Sequence, residues 1–134
     1  MKRISTLFIV LALLFSFTTV QADEVERSPE FWKMYSKNLV KCIKEGNPGV
    51  RYAALQRIIS YSDKLEVNAA VFDIMRIYRT DKNVHARQLA LSALHKMKND
   101  WAIGFLKLHI NHEKNMVLKK QIFAMIKDYE KSKI

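Results

Sequence analysis

Cysteine is almost missing. Cys42 stands alone, so no intrachain disulfide can form and stability must come from packing. Glycine and proline are nearly as scarce, three and two in 134 residues. Gly46, Gly49, Gly104, Pro29 and Pro48 are therefore the only strong punctuation. With so little glycine there is no phosphate-cradling loop, and no nucleophile motif or paired-carboxylate arrangement is present either. No stretch alternates with the period of two that a half-buried strand needs. These absences leave an enzyme unsupported and imply a non-catalytic, helical chain without a cofactor.

Acidic residues are also in deficit. Lys2 and Arg3 are the only charges in residues 1–22, so in residues 23–134 the remaining 21 basic side chains face 13 acidic ones, a net charge of +8. Long apolar runs are limited to one, Leu7–Phe17, broken by a single serine. A bilayer span needs about 20 such residues. A basic start, a short apolar core and the small residues Val20 and Ala22 make residues 1–22 a secretory signal peptide cut near Ala22. The alternative is a retained membrane anchor. An exported, periplasmic or extracellular, mature chain would start at Asp23, and residues 23–28 would be a short lead. Nucleic acid is then not an expected partner. A protein, or an anionic envelope surface, is. Lysine richness that serves only solubility is the plainer explanation of the charge.

What is present is helical spacing throughout, which predicts six helices. The first runs from Pro29 to Glu45, with Ser28 as N-cap, Pro29 at the first helical position and Gly46 beyond the end. Phe31, Tyr35, Leu39 and Cys42/Ile43 form its apolar stripe, which makes Cys42 a buried thiol. Lys33, Lys37, Lys41 and Lys44 line another side. The second helix runs from Pro48 to about Tyr61, capped by Asn47. The third spans about 64–79, where Asp63 and Glu66 suggest a capping box and Val67, Val71, Ile74 and Tyr78 face inward. The others span about 84–98, 101–110 and 115–131. Connections this short make consecutive helices antiparallel neighbours.

Three segments share a pattern. "ARQLALSALHKM" from Ala86 offers Ala86, Ala90, Leu94 and Met97. "VRYAALQRIISY" from Val50 offers Val50, Ala54, Ile58 and Tyr61 at the same offsets. "LKKQIFAMIKDY" from Leu118 offers Leu118, Ile122, Met125, Ile126 and Tyr129. The second position is basic each time: Arg51, Arg87 and Lys119. A recurrence of this length is the mark of an α-solenoid. The pattern resembles the HEAT-repeat family, whose first helices carry an apolar–basic start followed by alanines at the crossing. The resemblance covers about residues 29–131. "VRYAALQ" departs from it with Arg57 where a small residue belongs, and the third copy replaces both alanines by Ile122 and Met125. The resemblance implies a short α-α solenoid of about three antiparallel helix pairs, against the alternative of an ordinary six-helix bundle. Small residues at a crossing let backbones approach. Ala90 and Ala93 then belong to a middle copy with neighbours on both sides.

Function follows only in outline. In such solenoids the second helices line a concave binding face, so the expected role is that of a protein-binding module. An inhibitor or immunity protein occluding an enzyme's cleft is one specific form. On that face the candidates are Phe72, Arg76, Arg79, Trp101 and Lys107. Phe72 points away from the inner stripe, and arginine forks can engage carboxylates. Trp101, Phe105 and Leu108 form a second stripe opposite Ile103, Leu106 and Ile110. It is expected to be buried between neighbouring pairs, or else to form a sticky face. The alternative site is the lysine stripe Lys33, Lys37, Lys41 and Lys44, docking on anionic lipid or polymer. His109, His112 and Glu113 have a spacing that could serve zinc, but they read as a solvent-facing turn without a metal. His85 and His95 read as isolated surface groups.

Overall fold

The computed structural model describes residues 26–134. The signal peptide predicted over residues 1–22 lies outside the described residues. Six α-helices follow in order: α1 Pro29–Glu45, α2 Pro48–Tyr61, α3 Val71–Thr80, α4 Val84–Met97, α5 Asp100–His109 and α6 Met116–Lys131. Two 3-10 turns, Asn68–Ala70 and Ile110–His112, precede α3 and follow α5. The described residues contain no strand.

The helices begin where a side chain can take an orphan amide. Ser28 Oγ accepts the Phe31 N–H, and Asn47, Asn83, Asn99 and Asn115 cap α2, α4, α5 and α6 in the same way. Each such cap contributes about 1 kcal/mol. At Gly46, just beyond α1, a Cβ would run into the Cys42 carbonyl and the Val50 side chain. Only glycine lets α2 start this close to the end of α1. The helix α4 ends at Lys98, a non-glycine residue in the left-handed region at φ 49°.

The start of α3 differs from the sequence expectation. No helix begins at Lys64, and the Asp63/Glu66 capping box does not form. Ser36, buried in α1, accepts the Glu66 N–H at 3.0 Å and donates to the Trp32 carbonyl at 2.8 Å. That tertiary contact diverts the amide a helical turn would need. The segment crosses α1 instead, and regular helix starts at Val71. The inner stripe is unaffected, with Val67, Val71, Ile74 and Tyr78 all buried.

The helix α4 is the hub, in contact with α2, α3, α5 and α6. Ala90 and Ala93 are completely shielded there, as their place in the middle copy requires. Around them Leu55, Ile58, Ile74, Leu91, Leu94, Ile103, Leu106, Leu118 and Ile122 are fully buried, each contributing about 1.5–3 kcal/mol. The three pattern-bearing helices α2, α4 and α6 neighbour one another in turn, so the fold is all-α and repeat-like. In the last copy Ile122 and Met125 are themselves buried. Arg57 in the first copy is exposed and lines an open cleft, where a small residue would serve no crossing. Cys42 is free and half-buried rather than buried.

Candidate functional site

The helix α5 turns two sides to its surroundings. Ala102, Ile103 and Leu106 enter the core. On the opposite side the stripe Trp101, Phe105 and Leu108 is not buried between neighbouring helices. Trp101 is 43% exposed and Leu108 76% exposed, and Phe105 is half-buried. The burial expected from the sequence fails because no further layer covers that side of α5 among the described residues.

From α3, Phe72 meets this stripe. It is 64% exposed, and its ring centre lies 4.4 Å from that of Trp101. Trp101 is 5.7 Å from Phe105, and Phe105 stacks on His109 at 4.0 Å. His109 Nδ1–H donates to the Phe105 carbonyl at 2.8 Å, which holds the imidazole in the row. His112 follows at 6.2 Å. The result is a ladder of rings crossing from α3 to α5, with Leu108 beside it. The guanidinium of Arg79 lies 5.4 Å from the Phe105 ring centre, in cation–π range. Arg76 is held by Asp73 on its own helix.

Of the residues predicted from sequence, Phe72, Arg79 and Trp101 are thus brought together, with Arg76 at their edge. Lys107 is not. It reaches the other way around α5, to Glu130 of α6 at 2.6 Å. Nor is His95 isolated: its Nε2 pairs with Asp128 of α6 at 2.7 Å. The lysines Lys33, Lys37, Lys41 and Lys44 are all exposed on α1. No carboxylate among the described residues is within ion-pair distance of them.

The surroundings of α3 and α5 hold a polar clamp, built on Tyr78, Arg87 and Glu113, that the sequence did not disclose. Glu113, expected in a solvent-facing turn, has a side chain only 6% exposed. Its carboxylate accepts from Arg87 of α4 at 2.7 Å and from the Tyr78 hydroxyl of α3 at 2.8 Å. Its other oxygen accepts the Asn115 N–H. The Nε–H of Arg87 also donates to the Tyr78 carbonyl. Burial works against the charge on Glu113, but the Asn115 amide, the Tyr78 hydroxyl and Arg87 outweigh it and hold its pKa below the ordinary 4.5. Burial first, then the hydrogen bond to Glu113, pushes Tyr78 well above its ordinary 10.0. The basic second position of the motif therefore has a physical role in the middle copy: it ties α3, α4 and the turn before α6 together. The periodicity of Tyr78 and the basic position of Arg87 were visible in the sequence but their pairing was not, because the partners of Arg87 lie nine and 26 residues away.

A second aromatic group is formed by α1 and α2. Phe31, Trp32 and Tyr35 of α1 and Tyr61 of α2 pack with ring centres 5.2–6.4 Å apart. Arg27 covers Phe31 and Lys64 covers Trp32. All four rings are half-buried and line the cleft that Arg57 borders.

Among the described residues, no group of three or more His, Cys, Asp or Glu could hold a metal ion, and no helix is long and apolar enough to cross a membrane. Comparison with protein-family models, with curated proteins and with solved structures returned no match.

Proposed function

We propose that this chain is a non-catalytic, exported protein-binding module of the HEAT-like kind, docking its partner on the face shared by α3 and α5. The observation that carries this reading is the ladder Phe72–Trp101–Phe105 with Leu108. Large apolar side chains that adjoin one another in water favour association. Aromatic residues bordered by arginine are the composition of interface hot spots. In the HEAT-like arrangement α3 and α5 are the second helices, those that would line a concave face. Occlusion of an enzyme's cleft, as by an inhibitor or immunity protein, is the specific role this surface suits.

The test is site-directed cross-linking in the native envelope or medium. A photo-reactive residue at position 108 should capture one protein, and the same residue at position 41 should not. The double change Phe72→Ala/Trp101→Ala should abolish capture without altering helical content. Capture from position 41 alone, with steep loss in salt, would instead assign binding to the lysine stripe. Intact mass of the recovered protein should correspond to a chain starting at Asp23.

A further inference from the structure

We infer that the occupant of the α3/α5 face is an acidic amphipathic helix of another protein, and that Gly104 is the notch that receives one of its apolar side chains. This rests on the docking reading above and adds the chemistry of the partner. Gly104 lies in the interior of α5, half-buried, one turn from both Trp101 and Leu108 and so on their side of the helix. Glycine inside a helix is unfavourable relative to alanine. Yet a Cβ built at Gly104 meets nothing within 4 Å. No packing among the described residues requires glycine there, in contrast to Gly46. A bare backbone between two exposed large side chains makes a depression, and close approach of another molecule is the remaining use of the missing Cβ.

The form of the occupant follows from the ladder. Its members Trp101, Phe105 and His109 follow one another turn by turn along α5, a row with the ~5.4 Å pitch of an α-helix. Apolar side chains one turn apart on a partner helix would therefore meet successive rungs, as in helix-in-groove recognition. The charge follows from the edges. Arg79 has no carboxylate within ion-pair distance among the described residues, and His112 and Arg76, the latter paired with Asp73, flank the same face. Residues 23–134 carry +8. A second copy would bring like charge against like, whereas acidic flanks complement the rim.

Two synthetic helical peptides probe this. Both place leucines at alternating spacings of four and three, and the remaining positions are glutamate in one and lysine in the other. They are titrated against the protein carrying Trp32→Phe, in which Trp101 is the one remaining tryptophan and reports binding. The glutamate peptide should bind at least about tenfold more tightly than the lysine peptide. Gly104→Ala should raise the melting temperature by about 2–6 °C and weaken the glutamate peptide by about tenfold. Equal affinity for the two peptides, binding of neither, or full-strength binding by Gly104→Ala would overturn the inference. Self-association blocked by Phe72→Ala would overturn it in favour of a second copy. The docking reading fails separately: it falls if cross-linking from position 108 captures nothing, or if Phe72→Ala leaves the affinity of a bound peptide unchanged.

Discussion

The molecule has two aromatic groups of similar size and opposite character. The group at Phe31, Trp32, Tyr35 and Tyr61 packs ring against ring along the wall of the cleft. Its rings are half-buried, two of them carry a cation of the same chain on their faces, and Ser36 draws the following segment across α1 beside them. The group at Phe72, Trp101 and Phe105 is open. It lies on the outer side of two helices whose inner sides are already buried, and Phe72 and Trp101 face water. Aromatic content alone does not separate the two. What does is how much of each ring the chain itself covers: the four rings of the first group are half-buried, whereas Phe72 and Trp101 of the second are exposed. A half-buried group contributes to stability, and an exposed one leaves apolar surface for another molecule.

The largest effect that sharpens this contrast comes from the clamp of Tyr78, Arg87 and Glu113. Glu113→Ala leaves the Arg87 guanidinium partly buried and unpaired, at a cost of about 3–5 kcal/mol. Denaturant unfolding would measure that loss. Hydrogen exchange should rise first in α3 and in the turn before α6, and not around Trp32. Uniform loosening would mean that the clamp supports the whole fold rather than its own side of it.

The pH dependence has a defined sign. The Glu113 pKa is lowered by folding, so its contribution is present above its ordinary value of 4.5 and is lost as pH falls through the folded value. The Tyr78 pKa is raised, so its contribution is present below 10.0 and is lost as pH rises toward the folded value. Melting temperature against pH should show a plateau bounded on both sides, and Glu113→Gln should flatten the acid limb.

Next in size is Ala90→Leu, which overpacks the crossing at α4 and should cost about 1–3 kcal/mol. Wild-type thermal stability in that variant would place Ala90 at the surface. Trp32→Ala and Trp101→Ala then compare the two groups directly. The first should destabilise by about 2 kcal/mol, less than a fully buried ring because Trp32 is half-buried. The second should stay within roughly 0.5 kcal/mol. Equal losses in thermal melts would abolish the distinction on which the docking face depends. The smallest effect is a gain: Lys98→Gly relieves the left-handed residue after α4 and should add about 1 kcal/mol.

The helices and their caps were legible because both are local. Ser28 and Asn47 announce their helices from within three residues, and the 3.6-residue period of Val71, Ile74 and Tyr78 fixes the face of α3. The exceptions all involve distance along the chain. The capping box at Asp63/Glu66 reads well in isolation, but the Glu66 amide goes to Ser36, thirty residues earlier. Glu113 reads as a turn residue until Arg87 is seen beside it. For the site, periodicity showed that α5 has two apolar sides but not how many layers the molecule has. Whether Trp101 is core or surface depends on that number. Lys107 was misplaced for a similar reason: its side of α5 belongs to α6, which nothing in the local pattern states.

The position of α4 between α2, α3, α5 and α6 also bears on how the chain acquires its structure. The contacts join helices that are adjacent or next but one in the chain, so little loop entropy must be spent before they form, a topology that folds within microseconds to milliseconds. Repeat arrays whose units touch only their neighbours can unravel from an end. Here one helix supports four others, so the loss of α4 removes the support of both halves at once. The chain should therefore unfold as one cooperative unit, with calorimetric and van't Hoff enthalpies in agreement, while the aromatic face on α3 and α5 stays solvent-accessible in a fully folded molecule.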